Sequence, residues 1–285
     1  MRIIDTSDKI PGVFDSGRFD IEKWKAYMDA SVPGAKEMCL EDMRETIGAG
    51  YSWQDDYLPV LNAVALDAAG REKAIGSFRR VTENLDGKIL KRFGRTVDAD
   101  IILYLGLCNG AGWVTEINGK RSVLLGIEKI MELNWCDPDA MTGLIIHEAG
   151  HAYQDQYGVL SVESGSPEDE FLWQLFTEGV AMVFEQEIIG DPEYFHQDSH
   201  GWKQWCDEHA ELIRRSFAGD MKSMTRENQR YFGDWVSFEG HGDTGYYLGA
   251  RFVRFLMEQD DFDNVIRYGI QEVKDGFDRF LRLPI

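Results

Sequence analysis

Residues 144–151 read Leu-Ile-Ile-His-Glu-Ala-Gly-His, with two histidines four positions apart and a glutamate directly after the first. On a helix, side chains four apart lie on one face, so His147 and His151 can point at one metal ion. Glu148 can then reach a water bound to that ion. Zinc lowers the pKa of such a water from about 15.7 towards about 7, and a nearby carboxylate can take its proton. The spacing predicts one zinc ion per chain, with Glu148 as general base.

Two alternatives fit the motif: a buried metal site and a surface helix that carries two histidines. The apolar run before the motif distinguishes them. Leu144, Ile145 and Ile146 indicate that this part of the helix is buried. A buried His-Glu-His cluster without a metal would leave polar groups unsatisfied, which is costly in free energy. We therefore favour a metal site.

A catalytic zinc ion usually has three protein ligands, so a third must come from elsewhere in the chain. Position 157 is Tyr157, which excludes a third histidine six residues after His151. Glu178 is the only acidic residue between Phe171 and Phe184, in an otherwise apolar helical stretch. A carboxylate in that setting needs a partner, and a metal ion would be one. The alternative is a capped or ion-paired glutamate.

Further polar residues lie near these positions in the sequence. Glu185 follows Glu178 by seven residues and lies on the same helix face. It is a fallback ligand or, better, a candidate partner that orients a ligating imidazole. Asp155 is a second candidate for that orienting role, and either could be a solvated charge. His196 and His200 are four apart, but no neighbouring acid accompanies them on an apolar helix, so we expect both at the surface.

The surrounding pattern predicts an α+β fold that is mainly helical, with a small antiparallel sheet just before the metal helix. Asn118-Gly119 is a strong hairpin signal between two apolar runs. The predicted strands are 100–107, 112–117 and 120–127, and the predicted helices are 20–30, 35–47, 56–69, 71–93, 138–156, 168–188, 203–217 and 245–259. We expect an N-terminal helical region over 1–95 and a catalytic region over 96–285, which could form one compact unit.

Composition excludes several function classes. The 285 residues carry 50 acidic and 30 basic side chains, a formal charge of −20. This charge disfavours nucleic acid and anionic membranes as partners. The sequence contains no run of about 18 apolar residues, so we predict no membrane span. Four separated cysteines form no CxxC pair, which indicates reduced thiols and a cytoplasmic location.

Together, His147, Glu148, His151 and Glu178 resemble the gluzincins, the zinc peptidases that include thermolysin-like enzymes and the aminopeptidase N type. The resemblance covers about residues 100–256 and is nearest to uncharacterised predicted zinc-dependent proteases. It implies that His147, His151 and Glu178 bind zinc and that Glu148 is the base. The interval from His151 to Glu178 is several residues longer than in thermolysin-like enzymes. The aminopeptidase Gly-x-Met-Glu-Asn signature is absent.

The same resemblance extends to the start of a later helix. Tyr246 is followed by Gly249 in a Tyr-x-x-Gly start like that of the aminopeptidase branch, where the tyrosine hydroxyl stabilises the oxyanion. Tyr247 and His241 are the alternative donors, and two aromatic rings that only pack there are a further alternative. The hairpin strand would hold an extended peptide by main-chain pairing.

These inferences predict a zinc-dependent hydrolase, foremost a peptidase acting on peptides or small amides. Two other functions stay open at this point. One is a metallohydrolase for non-peptide amides or esters, and the other is a non-catalytic protein that keeps a metal for stability and binds peptides.

Overall fold

The structure is a computed structural model that describes residues 1–233 and 235–283. The fold is α+β and mainly helical, as predicted. The strands are β1 (Arg2–Asp5), β2 (Phe14–Asp15), β3 (Arg18–Phe19), β4 (Asp100–Tyr104), β5 (Gly112–Ile117) and β6 (Lys120–Gly126). The helices are α1 (Ile21–Ser31), α2 (Lys36–Gly48), α3 (Leu58–Leu66), α4 (Ala68–Thr82), α5 (Leu85–Phe93), α6 (Ile127–Glu132), α7 (Pro138–Tyr157), α8 (Pro167–Ile189), α9 (Trp202–Glu208), α10 (Ala210–Asp220), α11 (Thr244–Leu256), α12 (Phe262–Val265) and α13 (Ile270–Phe280).

The main sheet has the strand order β1-β4-β6-β5, and it is mixed. Strand β4 pairs in parallel with both β1 and β6, whereas β5 and β6 form the predicted antiparallel hairpin. The prediction of an antiparallel sheet is therefore wrong for two of the three pairings. A turn signal such as Asn118-Gly119 is local, but the pairing of Ile3 with Ile101 joins distant parts of the chain. The short β1 also has no alternating pattern that would reveal it.

The helices match the predicted segments with two main differences. The predicted helix 71–93 is two helices, α4 and α5, because residues 83–84 interrupt it. The predicted helix 203–217 is likewise divided into α9 and α10 at His209. Across the part of the chain that the structure describes, no helix has both the length and the apolar character that a bilayer span requires.

The chain forms two compact units, Met1–Glu148 and Ala149–Ile285, and the division falls inside the continuous helix α7. The first unit contains both sheets, with Trp24, Phe78 and Tyr104 fully buried in its core. The second unit is helical, and its buried side chains include Phe184 and Phe252. The predicted regions 1–95 and 96–285 use a different boundary and stay a prediction.

Candidate metal centre

Helix α7 carries the histidine motif on a buried stretch. Leu144, Ile145 and Ile146 are buried as the sequence indicated, and this stretch anchors the helix by its apolar face. His147 is 4% exposed and Glu148 is 7% exposed, so both lie largely out of water. His151 follows one turn later and is partly exposed. Because the helix is continuous, its geometry alone places both imidazoles on the same side.

Glu178 lies in the middle of α8, between buried Thr177 and Gly179. The helix continues without a break through this position. Gly179 instead allows a close helix contact, since a Cβ there would lie 2.2 Å from the carbonyl oxygen of Gly249 on α11. The opposite approach is equally close, with Gly249 against the Leu175 carbonyl. Two glycines thus fix the turn of α8 that presents Glu178.

The Glu178 carboxylate faces the second histidine of the motif. His151 Nε2 lies 3.2 Å from Glu178 Oε2, and the two side chains are 13% and 18% exposed. Two ligands that are about 2.0–2.1 Å from a tetrahedral zinc ion lie about 3.3 Å apart. The observed distance fits such a pair of ligands. His147, His151 and Glu178 each offer a ligand atom, and these atoms lie within 4.8 Å of one another.

A second set of side chains shares His147. His147, Glu185 and His196 also offer ligand atoms within 4.8 Å of one another. His196 Nδ1 lies 3.1 Å from Glu185 Oε1 and 3.0 Å from Oε2. The His196 imidazole can donate from Nδ1 to these carboxylate oxygens. The Glu185 side chain is completely buried and that of His196 is 4% exposed.

The surface position expected for His196 is wrong, whereas His200 is exposed as expected. Helix α8 ends at Gly190, which adopts a left-handed conformation (φ +84°). The following segment turns back, and Gln186 donates to the Tyr194 carbonyl at 3.1 Å. This return brings His196 to Glu185. The burial of this histidine depends on a non-regular segment, so no periodic sequence pattern could have shown it.

Glu148 lies against the first residue of strand β5. A Cβ at Gly112 would be 2.7 Å from Glu148 Cγ and 2.8 Å from Oε1, so only glycine fits without displacing the carboxylate. Strand β5 is at the edge of the main sheet, and most of its residues are partly exposed. Sequence reasoning missed Gly112. Its only signal was a glycine at the start of a predicted strand, a position where another group approaches the backbone closely.

The two tyrosines at the start of α11 have different environments. Tyr247 is buried, and its hydroxyl donates to Asp207 Oδ1 at 2.8 Å. Burial raises the pKa of Tyr247 to about 12. Tyr246 is half-buried and its ring packs edge-on against Phe232, with the ring centroids 5.6 Å apart. The Tyr247 hydroxyl therefore has a structural partner in Asp207.

The other candidates are placed as follows. His241 stacks on the Trp205 ring, with the ring centroids 3.8 Å apart, and its backbone pairs with Phe238. It is therefore held in place by these contacts. Asp155 is half-buried on α7.

Within residues 1–233 and 235–283, three or more histidine, cysteine, aspartate or glutamate side chains are close enough to share one metal ion only in the two sets that contain His147. No protein-family model, curated protein or solved structure matches the chain. Both sets consist of imidazole nitrogen and carboxylate oxygen, which are ligand types that suit zinc. The protein thus has buried histidine and glutamate groups that could bind a metal ion.

Proposed function

We propose that this protein is a zinc-dependent hydrolase of the gluzincin type, and that it cleaves peptide bonds. The observation that carries the proposal is the contact of His151 Nε2 with Glu178 Oε2 at 3.2 Å, within one ligand set with His147. Three protein ligands leave a fourth position for water, which is the arrangement of a catalytic rather than a structural zinc site. Glu148 is next to the first ligand on the same helix.

His147, His151 and Glu178 would hold the ion. When bound, zinc supplies Lewis acidity and makes its water a nucleophile at neutral pH. The Glu148 carboxylate takes the proton of the attacking water and passes it to the leaving amine. Burial of Glu148 strengthens this proton transfer, because little bulk water competes for the carboxylate. The Tyr246 hydroxyl donates to the carbonyl oxygen as negative charge develops on it.

Strand β5 supports a peptide as the substrate. Its outer edge offers main-chain donors and acceptors to an extended chain, and Gly112 at its start lies against Glu148. A peptide that pairs with this edge has a carbonyl group near the base. This feature favours a peptidase over an enzyme for small esters, which needs no strand edge.

The decisive experiment compares zinc content and peptide hydrolysis of the wild type with those of Glu148→Gln. We expect about one zinc ion per chain in both proteins and hydrolysis in the wild type alone, because glutamine cannot accept the proton. Asp139→Asn removes an exposed charge from the first turn of the same helix and is the matched control that keeps activity. Equal hydrolysis by Glu148→Gln and the wild type would refute the mechanism. Zinc without any hydrolysis in the wild type would favour a non-catalytic metal protein.

The tyrosine pair provides a second test in the same assay. Tyr246→Phe should lower kcat by about 100-fold, the effect of removing one oxyanion donor. Tyr247→Phe should leave kcat unchanged and cost about 1 kcal/mol of stability, because its hydroxyl is hydrogen-bonded to Asp207. The opposite pattern would assign the oxyanion role to Tyr247.

A further inference from the structure

Glu128 is a buried carboxylate that the proposed mechanism does not use. It is the second residue of α6, and it is 1% exposed. Burial raises its pKa to about 7. A buried carboxylate is costly unless it accepts hydrogen bonds. Here the Gly106 amide donates to Oε2 at 2.9 Å and the Cys108 amide donates to Oε1 at 3.1 Å.

Both amides belong to loop 105–111, which joins β4 to β5. Gly106 allows the carboxylate to approach, since a Cβ there would lie 2.5 Å from Glu128 Oε1. The far end of the loop is equally close to the start of α6. A Cβ at Gly126 would lie 2.6 Å from the Gly110 carbonyl oxygen, and the Gly126 amide donates to the Ala111 carbonyl at 3.1 Å. The loop is therefore fixed to the start of α6 at both ends.

Other groups near Glu128 do not replace these amide contacts. Burial raises the pKa of Tyr27 on α1, of Tyr104 on β4 and of the Cys39 thiol on α2, so all three stay uncharged at neutral pH. Lys129 lowers the pKa of Glu128, but only as a minor contribution. The Tyr27 hydroxyl accepts from the Leu105 amide at 2.9 Å, which adds a third attachment for the loop.

The residue that follows the loop is Gly112, whose backbone meets the Glu148 carboxylate. We propose that Glu128 is a positioning residue: its carboxylate holds loop 105–111 in place and thereby sets the start of β5 against Glu148. The catalytic part of this inference rests on the proposed function. The anchoring part does not, because it concerns contacts inside the unit Met1–Glu148. A glutamine at position 128 would keep the shape but offer one acceptor to two amides.

Hydrogen exchange of the loop amides tests the anchoring without any activity assay. We expect Glu128→Gln to lower the protection factors of Gly106 and Cys108 about tenfold or more, because glutamine offers one acceptor oxygen where Glu128 offers two. The control is Glu132→Gln, an exposed glutamate on the same helix that pairs with Lys129, and it should change nothing. Wild-type protection in Glu128→Gln would overturn the proposal.

A second variant covers the case in which Glu128→Gln does not fold. Gly106→Ala keeps the carboxylate but places a methyl group only 2.5 Å from Oε1, so it pushes the loop and Glu128 apart. The loss of protection should be the same as for Glu128→Gln. If Gly106→Ala leaves the protection of Cys108 unchanged, Glu128 does not anchor the loop.

Kinetics test whether the anchoring acts on Glu148. We expect Glu128→Gln to lower kcat about tenfold with little change in KM, because a displaced base slows the chemical step. Gly112→Ala should act in the same way, and the double variant should be no slower than the slower single variant. Additive losses, or a loss that appears only as a smaller zinc-loaded fraction, would overturn the positioning role. If the wild type has no hydrolase activity, the proposed function fails while the exchange experiment still decides the anchoring.

Discussion

Helix α8 presents two carboxylates seven residues apart, and each contacts an imidazole. Glu178 lies 3.2 Å from His151, with side chains that are 18% and 13% exposed. Glu185 lies 3.0 Å from His196, and these side chains are 0% and 4% exposed. The chemistry of the two pairs is the same, but their access to water differs. Water can reach the partly exposed pair, whereas the side chains of the other pair are almost completely shielded from it.

The difference follows from the cost of burying a charge. A carboxylate that is shielded from solvent needs a partner. Removing that partner lowers the free energy of unfolding by more than the intact pair contributes to it. Glu185 is in this position, and Glu178 is not, because water can reach it. We therefore assign Glu178 to the ligand set, and we propose that Glu185, which pairs with His196 in the set that includes His147, orients a ligating imidazole.

Glu178→Gln should have the largest effect, and the effect should be on metal binding. A zinc site with four ligands binds with about 10–16 kcal/mol, so one ligand contributes about 3–4 kcal/mol, or several hundredfold in affinity. Folding should change little, because Glu178 is partly exposed. Competition with a zinc chelator measures the affinity. An unchanged zinc affinity would remove Glu178 from the ligand set.

His196→Ala should lower the free energy of unfolding by about 3 kcal/mol, because it leaves the Glu185 carboxylate buried without this partner. The matched control is His200→Asn, four residues later and exposed, which should stay within about 0.5 kcal/mol of the wild type because asparagine tolerates the left-handed backbone there (φ +53°). Urea denaturation of both metal-free variants measures the difference. Equal stabilities would mean that the pair of His196 and Glu185 does not stabilise the fold.

Glu185→Gln should lower zinc affinity about 10- to 100-fold, the range for partners that orient a ligating histidine. The loss should be smaller than for Glu178→Gln. Both affinities come from the same chelator competition. A loss as large as that of Glu178→Gln would instead make Glu185 a ligand, with the ion held by the set of His147, Glu185 and His196.

Glu128 extends the comparison to a carboxylate that is held by backbone amides. Its pKa is raised from 4.5 to about 7, so the folded protein binds this proton more tightly than the unfolded chain. The stabilising contribution is complete below about pH 4.5. As pH rises towards about 7, the free energy of unfolding should fall by up to about 1.4 kcal/mol per pH unit.

Glu128→Gln should lack this pH dependence. We therefore measure the free energy of unfolding by urea denaturation between about pH 5 and about pH 8. The difference in this free energy between wild type and variant should change with pH and then level off. Glu132→Gln is again the control, because it removes an exposed carboxylate from the same helix. Parallel stability curves for the wild type and Glu128→Gln would show that the pKa of Glu128 is not raised.

Much of the candidate site was predictable from the sequence because its parts are local. The four-residue interval between His147 and His151 fixes their common face on any helix. An acidic residue inside an apolar helical run, such as Glu178, already indicates a buried partner. The hairpin of β5 and β6 followed from Asn118-Gly119. In each case the sequence pattern and the element that it predicts lie within a few helical turns or one hairpin.

Tertiary structure decided the rest. The parallel pairing of β1, the return of His196 to Glu185 and the approach of Gly112 to Glu148 all join residues that no local period relates. Each contact depends on loop closure and on how side chains fill the available space. Both are determined by the packing of the whole unit. Local sequence patterns therefore identified His147, His151 and Glu178 as possible metal ligands but placed His196 at the surface. Only the packing determined which carboxylate meets which imidazole, since burial rather than residue type separates Glu178 from Glu185.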